Sequence, residues 1–388
     1  MSQLKTNAIR HISATSDAIT LASDGGLTDI AGGQLSHRNK LYNGSMMIAQ
    51  RSTSAVTISD GSNEGYQTVD RWHHLLAGSI GGSITSQQVT DAPEGFKNSL
   101  KLKCASTTTT LDGTQELAIR QKLEGLDIID FAYGDASAKT TTVSWYMKAV
   151  NPKVMSVNLM TTLSAGRYFS KNFTPTTSWA RYSMEVPGDT SNGIDETNGD
   201  AYRIQFVLAL GSSKIQASDS TAWSSTADFG ASGMGNFLDS TSNELYITGV
   251  QVEVGNLTPY EHRSYGDELK GCQRYYQTIV KGNGSNLQVF NIGDWYAASQ
   301  LNINVPLKVT MRAKPSIHQN AASNWCGWYG NGSSGNITPS WTEWNSPDSG
   351  NMLGAYVDPD TDGTAGTAAR VYLSNTDSAK FLAAQAEL

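Results

Sequence analysis

Between residues 39 and 265, apolar side chains recur at every second position in short runs, and polar loops separate the runs. Leu100, Leu102 and Cys104 share one phase. So do Leu117, Ile119 and Leu123; Val143, Trp145, Met147 and Ala149; and Met155, Val157, Leu159 and Leu163. Tyr182, Met184 and Val186 continue the series, followed by Tyr202, Ile204, Phe206, Leu208 and Leu210. A period of two is the mark of a half-buried strand. No helical period lies between the runs, which specifies an antiparallel sandwich rather than a parallel α/β sheet, and a jelly roll is the expected form. In the last run the alternation switches phase at Gly249, from Leu245 and Ile247 to Val250, Val252 and Val254, which predicts a β-bulge in the closing strand. These apolar faces read as core, and the long Ser-, Asp-, Asn- and Gly-rich segments at 188–199 and 212–240 as solvent-facing or ligand-facing loops.

Behind the closing strand, Ser264 stands three residues before Asp267, a capping-box spacing, and Leu269, Cys272 and Tyr276 fall on one helical stripe. This predicts a short linker helix over 266–278. A smaller β domain is expected over 279–388. Its first strands would hold Leu287 and Val289, then Ile303, Val305, Leu307, Val309 and Met311, with Pro306 and Pro315 marking an edge or a strand end. Residues 369–373 and 380–388 would complete its sheet, and so short a unit suits pairing with copies of itself. Residues 1–38 are polar and interrupted by Gly25-Gly26 and Gly32-Gly33. Such a segment has too little apolar surface to fold alone. Ile9, Ile12, Ile19 and Leu21 suit either an arm docked on a partner or a disordered tail. The predicted fold class is therefore all-β: an antiparallel jelly-roll sandwich at 39–265, a short helix, and a smaller C-terminal β domain.

Composition narrows the function classes. A chain of 388 residues exceeds one average domain, and 38% hydrophobic residues suit sheets joined by long polar loops. With a net charge of −7 and no basic run, a nucleic-acid partner is not expected. No apolar stretch approaches the roughly 20 residues that cross a bilayer, so membrane insertion is not expected either. Cys104, Cys272 and Cys326 form no CxxC pair and read as free buried thiols, Cys326 being the exception because its neighbours look like an exposed loop.

The densest candidate chemistry is a cluster of aromatic residues, Trp325, Trp328, Tyr329, Trp341 and Trp344, set with Glu343 among Asn, Gly and Ser. Indole faces cover the apolar faces of sugar rings, and nearby polar groups take the hydroxyls. The same rings also fill cores and subunit interfaces. Asp358, Asp360, Asp362 and Gly363 match the first half of a calcium loop, but Ala369 stands where a bidentate Glu belongs, so a polar hairpin turn is expected and no metal. His73 and His74 are adjacent and point to opposite faces of a strand, a poor geometry for one ion. Glu261-His262-Arg263 reads as a packing or hydrogen-bonding element between domains. No G-x-S-x-G, H-E-x-x-H or phosphate-cradling glycine loop occurs, so no catalytic residue, no cofactor and no enzyme activity are predicted.

Several motifs carry a family resemblance. ITGVQ-E-G at 247–255, P-EHRSYG-EL at 259–269 and CQRYY at 272–276 resemble the junction of tail-fibre and related structural proteins of tailed bacteriophages. LYNGSMMIAQRS at 41–52 with VDRW at 69–72 resembles that family's opening strand, VPLKVTMRAKPSI at 305–317 its distal-domain strand, and AEL at 386–388 its end. The resemblance touches most of the chain from Asn39 onward, and its motifs are structural. It implies a virion protein assembled in the host cytoplasm, a homotrimer whose arm at 1–38 docks to other tail or capsid proteins. Its jelly roll would be carbohydrate-binding-module-like, and its tip at 279–388 would bind a host-surface glycan or protein. A purely structural virion component, such as a capsid decoration or tail connector, and a polysaccharide-degrading tailspike are the alternatives.

Overall fold

The computed structural model describes residues 8–9, 19–21, 27–30, 36–164, 166–282, 288–319, 326–337, 341–343, 346–373 and 380–388. Two compact units emerge, Met1–Ser264 and Tyr265–Leu388. The first is an antiparallel jelly-roll sandwich of two six-stranded sheets. One sheet runs, in spatial order, Ala180–Val186, Thr141–Val150, Glu244–Val254, Ser99–Ser106, Ser83–Val89 and Val56–Ser59. The other runs Arg167–Phe173, Met155–Thr161, Asp200–Leu210, Glu116–Glu124, His73–Ala77 and Gly65–Tyr66. Their inner faces meet in one core that includes Leu102, Ile119, Trp145, Val157, Phe206 and Ile247.

Two bulges set which side chains reach that core. The Thr141–Val150 ladder shifts register where Ser144 faces Gln251 and Tyr146 faces Thr248, so the extra residue falls at Gly249 as its phase switch predicts. Gly249 has φ +61°, and a Cβ there would stand 2.7 Å from the rings of Phe96 and Tyr146, so both conformation and space require glycine. A second bulge was not foreseen: between Val207 and Ala209 the Asp200–Leu210 strand slips against Glu116–Glu124. Leu210 thereby leaves the main core and joins Ala118 and Val207 in a small outer cluster packed by Ile215, Phe229 and Met234.

The stretch at 41–52, expected to be a strand, is irregular. Asn43 and Met46 both take left-handed backbone, φ 57° each, which no strand admits. The Asn43 side chain holds the turn, donating to the carbonyls of Ile48 and Asp70 at 2.8 Å and accepting from the Ile48 amide at 2.9 Å. This segment is tied to the end of the sandwich through Glu261-His262-Arg263, which works inside the first unit. Glu261 accepts from the Asn39 amide at 2.9 Å, and Arg263 donates to the carbonyls of Leu41, at 2.8 Å, and Asn39. Asn39 in turn bridges Val250 and Val252 of the closing strand. His262 packs against Phe96, ring centres 5.1 Å apart. Within residues 1–35 the described pieces are the strands Ala8–Ile9, Ile19–Leu21 and Leu27–Ile30, which form a three-stranded sheet; Ile12 lies outside the described residues.

The second unit opens with the helix Tyr265–Gln273. It is shorter than the stripe suggested, because Tyr276 already begins the strand Tyr276–Lys281. That strand, Phe381–Gln385 and Ser316–Gln319 make a three-stranded sheet, and a seven-stranded sheet is centred on Gln288–Ala297. Leu287 lies outside the described residues, and Val289 is exposed. The run through Leu307, Val309 and Met311 is not strand, since Gln300–Pro306 ends at its proline and irregular chain leads to Ser316–Gln319. All three cysteines are free and buried. Cys326 sits in the strand Cys326–Gly330 rather than an exposed loop; its thiol meets the Tyr372 carbonyl at 3.1 Å, and burial pushes it far above the ordinary thiol range.

Replacing Arg263 with Ala strips two backbone carbonyls of a charged donor and leaves Glu261 with Arg38 as its remaining cation. The expected loss is about 2–4 kcal/mol of first-unit stability in urea denaturation. Full retention of stability would show that the tie is ornamental.

Candidate functional site

Two tryptophans of the aromatic cluster, Trp328 and Trp341, are enclosed. Trp328 is only 1% exposed and Trp341 5%. Trp328 meets Trp295 edge-on at 4.8 Å, and Trp341 lies 6.0 Å from Phe290, so both rings are core. A ring enclosed in this way has no face left for a sugar. Tyr329 is 51% exposed, and Glu343 pairs with Lys314 at 3.1 Å. Trp325 and Trp344 lie outside the described residues. The aspartate loop is also engaged: Asp360 accepts from the Asn336 amide at 2.8 Å, and Pro359 bridges Ile337. Among the described residues, no group of three His, Cys, Asp or Glu side chains is placed to hold a metal ion.

A different surface gathers polar side chains. In the second sheet of the sandwich Leu117, Ile119, Leu123, Ile204 and Phe206 point into the core, so their neighbours in the strands point outward. Strand register places these outward residues in a row. Tyr66 faces His73, His73 faces Arg120, Arg120 faces Gln205, Gln205 faces Asn158, and Asn158 faces Ser170. The row crosses all six strands, about 24 Å at the usual spacing between strands. Beside it, Arg203 faces Lys122 and Met160. At one end the loop 219–231 covers the row, with Ser170 donating to the Asp228 carbonyl at 2.9 Å and Asn158 to the Ser170 hydroxyl at 2.8 Å. The loop also lies along the edge strand, where Tyr168 and Ser224 exchange backbone bonds at 2.8 and 3.0 Å.

The row is electrostatically uneven, and beyond the loop Gln205 and Glu116 are still buried while Tyr66, His73 and Arg120 are half-buried. Asp200 pairs with Arg203 at 2.7 Å and with Lys122 at 3.6 Å. Gln205 donates to Glu116 at 3.3 Å, and burial holds the Glu116 carboxyl up at about 7. His73 packs edge-on against Tyr66 at 5.1 Å. Burial, reinforced by Arg120, Lys122 and Arg203, drives its pKa down to about 3, so the imidazole is neutral. His74, on the opposite phase, turns into the sandwich, where its ring nitrogens meet the Gly65 carbonyl at 3.0 Å and the Ser86 hydroxyl at 2.8 Å. Burial lowers it to about 4. Buried polar atoms along the row lack partners: His73 Nδ1, Arg120 Nε and Asn158 Oδ1. Such atoms are costly in a finished core and normal where a ligand supplies the missing bond. The row was readable in principle, since Arg120, Lys122, Arg203 and Gln205 share the phase opposite the apolar one. Reading strands only by their apolar phase passes over it.

At the open edge of the sandwich, Trp145 stacks on Tyr182 at 5.9 Å and meets Phe173 edge-on at 5.0 Å. With Lys171, Asn172 and Glu185 they line a hollow of about 300 Å³, at the small end of ligand sites.

No family model matches the chain, and no curated protein matches it. Several solved structures do. One described as CBM4 is 13% identical over 55% of this chain and 97% of its own, with a TM-score of 0.28. A family 11 carbohydrate-binding module from Clostridium thermocellum, solved with a mixed-linked β-1,3-1,4 tetrasaccharide, is 14% identical over 54% of this chain and 99% of the module, with a TM-score of 0.28. The enzymatically active domain of tailspike protein 4 of bacteriophage CBA120 is 10% identical over 56% of this chain and 21% of that domain, with a TM-score of 0.28.

If Trp328 is core, Trp328→Ala costs about 3–5 kcal/mol in denaturant unfolding of the second unit. A loss below about 1 kcal/mol would place the ring outside the core. The histidines give a pH signature. Both take up protons on unfolding at any pH between their folded values and the ordinary 6.5, so the stability present above 6.5 is lost as the pH falls toward 4 and then 3. Glu116 acts oppositely: its contribution is full below 4.5 and declines as the pH rises through about 7. His73→Gln should therefore flatten the acid side of the stability profile between pH 6.5 and 4, as read from urea midpoints. An unchanged slope would show that His73 is not held neutral.

Proposed function

We propose that this chain is an adhesion protein of a bacteriophage tail fibre or tail-associated assembly, and that it binds a host-surface glycan on the outer face of the second sheet of its sandwich. The observation that carries the binding reading is the half-buried part of the polar row, Tyr66, His73 and Arg120, where His73 Nδ1 and Arg120 Nε have no partner. Sugars present hydroxyls at close intervals, and imidazole and guanidinium groups fixed on a sheet answer them without reordering the backbone. Tyr66 ends the row with Arg51 and Arg71 over its ring, which adds two further guanidinium groups there. The virion assignment rests on the motifs at 247–255, 259–269 and 272–276.

In this reading the protein works as a homo-oligomer, each weak contact multiplied by the effective concentration of its neighbours. One observation favours a purely structural role for the second unit: Trp328 and Trp341 are spent on its own core. The sandwich then carries adhesion and the second unit assembly. No catalytic step is assigned.

The test is binding of the intact protein to host cells and to their purified surface polysaccharide. A folded Tyr66→Ala, Lys122→Ala double variant should bind at least tenfold more weakly, about 1.4 kcal/mol. Undiminished binding by that variant would remove this face as the site, and shortened polysaccharide chains after incubation would replace adhesion with cleavage.

A further inference from the structure

In the middle of the row, Arg120 makes no direct ion pair among the described residues, although the Glu116 and Asp200 carboxylates act on it at longer range. Arg120, Lys122 and Arg203 converge on the two central strands of the sheet, in a protein whose net charge is −7. Asp200 is shared between Lys122 and Arg203. Arg120 makes no hydrogen bond or ion pair among the described residues, and its Nε is buried without a partner. Its nearest carboxyl on the same face, Glu116, is committed to Gln205. His73, opposite Arg120 in register, also keeps Nδ1 buried and unpartnered. The Arg120 side chain is half-buried, and the planar fork of donors on a guanidinium suits the paired oxygens of an oxyanion.

We propose that Arg120 and His73 form an anion subsite that receives a carboxylate, sulfate or phosphate group borne by the glycan. The identity of the carrier rests on the glycan-binding reading; the subsite itself rests on the two side chains. Arg120 would grip two oxygens, and the neutral His73 would donate or accept at the rim according to its tautomer. Lys122 and Arg203, both held by Asp200, would raise the local potential without competing for the ligand. The cluster is confined to one pair of strands and fits a single anionic group rather than a polyanion.

Two measurements on the full chain decide the matter. In thermal denaturation, sodium sulfate, phosphate and glucuronate are each compared with sodium chloride at equal ionic strength. At least one oxyanion should raise the melting temperature of the unaltered protein, with little or no rise in Arg120→Gln, and the most effective one identifies the anionic group. In calorimetric titration, an oligosaccharide containing glucuronic acid, or its sulfated analogue, should bind at least tenfold more tightly than its carboxyl-reduced, unsulfated counterpart. An oxyanion effect that is absent, or that persists undiminished in Arg120→Gln, overturns the subsite. Equal affinity for charged and neutral oligosaccharides overturns it too, while leaving glycan binding in place. If no oligosaccharide binds but the oxyanion effect depends on Arg120, the subsite stands and the glycan reading falls. The charged-against-neutral comparison uses the unaltered protein, so a misfolded variant leaves the test intact.

Discussion

Glu261 and Arg263 join stretches of chain more than two hundred residues apart, and the first unit depends on that join. Their partners, Asn39 and Leu41, begin the irregular segment that lies along the strand Glu244–Val254, with Lys40 and Val252 bonded through the backbone at 2.9 Å. That strand sits between Thr141–Val150 and Ser99–Ser106 near the middle of its sheet. Fixing it against the chain's entry fixes the register of its neighbours. Long-range contacts of this kind cost loop-closure entropy and form late, so charged hydrogen bonds, the stronger sort, are where the chain invests.

The polar row depends on the same discipline. An array of side chains one strand apart is useful only if each strand holds its register, because a slip of one residue would send Arg120 inward and Ile119 outward. The bulge near Leu208 shows how local the control is: beyond it the phase inverts, and Leu210 helps to seat the chain around Phe229 that borders the row. Core and polar face are thus two phases of the same strands, and neither can be altered alone.

Much of the sandwich was legible because half-burial imposes a period of two and the core strands obey it. Leu100, Val143 and Ile204 are buried where the alternation placed them, and Gly249 carries the bulge its phase switch announced. The misreadings have physical causes. Leu210 changed sides because a bulge without a glycine leaves no mark in composition. The segment at 41–52 looked like a strand by its apolar content, but Asn43 and Met46 adopt a conformation set by side-chain bonds to distant backbone. Trp328 and Trp341 looked like loop residues because Gly, Ser and Asn surround them, yet their rings are drawn into a core that forms only when strands far apart in sequence pair. The helix ended early because Tyr276 gains more from the sheet with Phe381–Gln385 than from one further turn. The polar row was missed because polar residues on a strand read as solvated surface until register lines them up.

The buried cysteines carry a consequence of another kind. Cys104, Cys272 and Cys326 are enclosed singly, and none has a partner with which to form a disulfide. Thiols shielded by burial are poor nucleophiles and slow to oxidise. The fold therefore holds no cross-link that a reducing environment could break, and offers no exposed thiol among these three that an oxidising one could join. A protein built in this way can pass from one redox environment to another without changing its covalent structure.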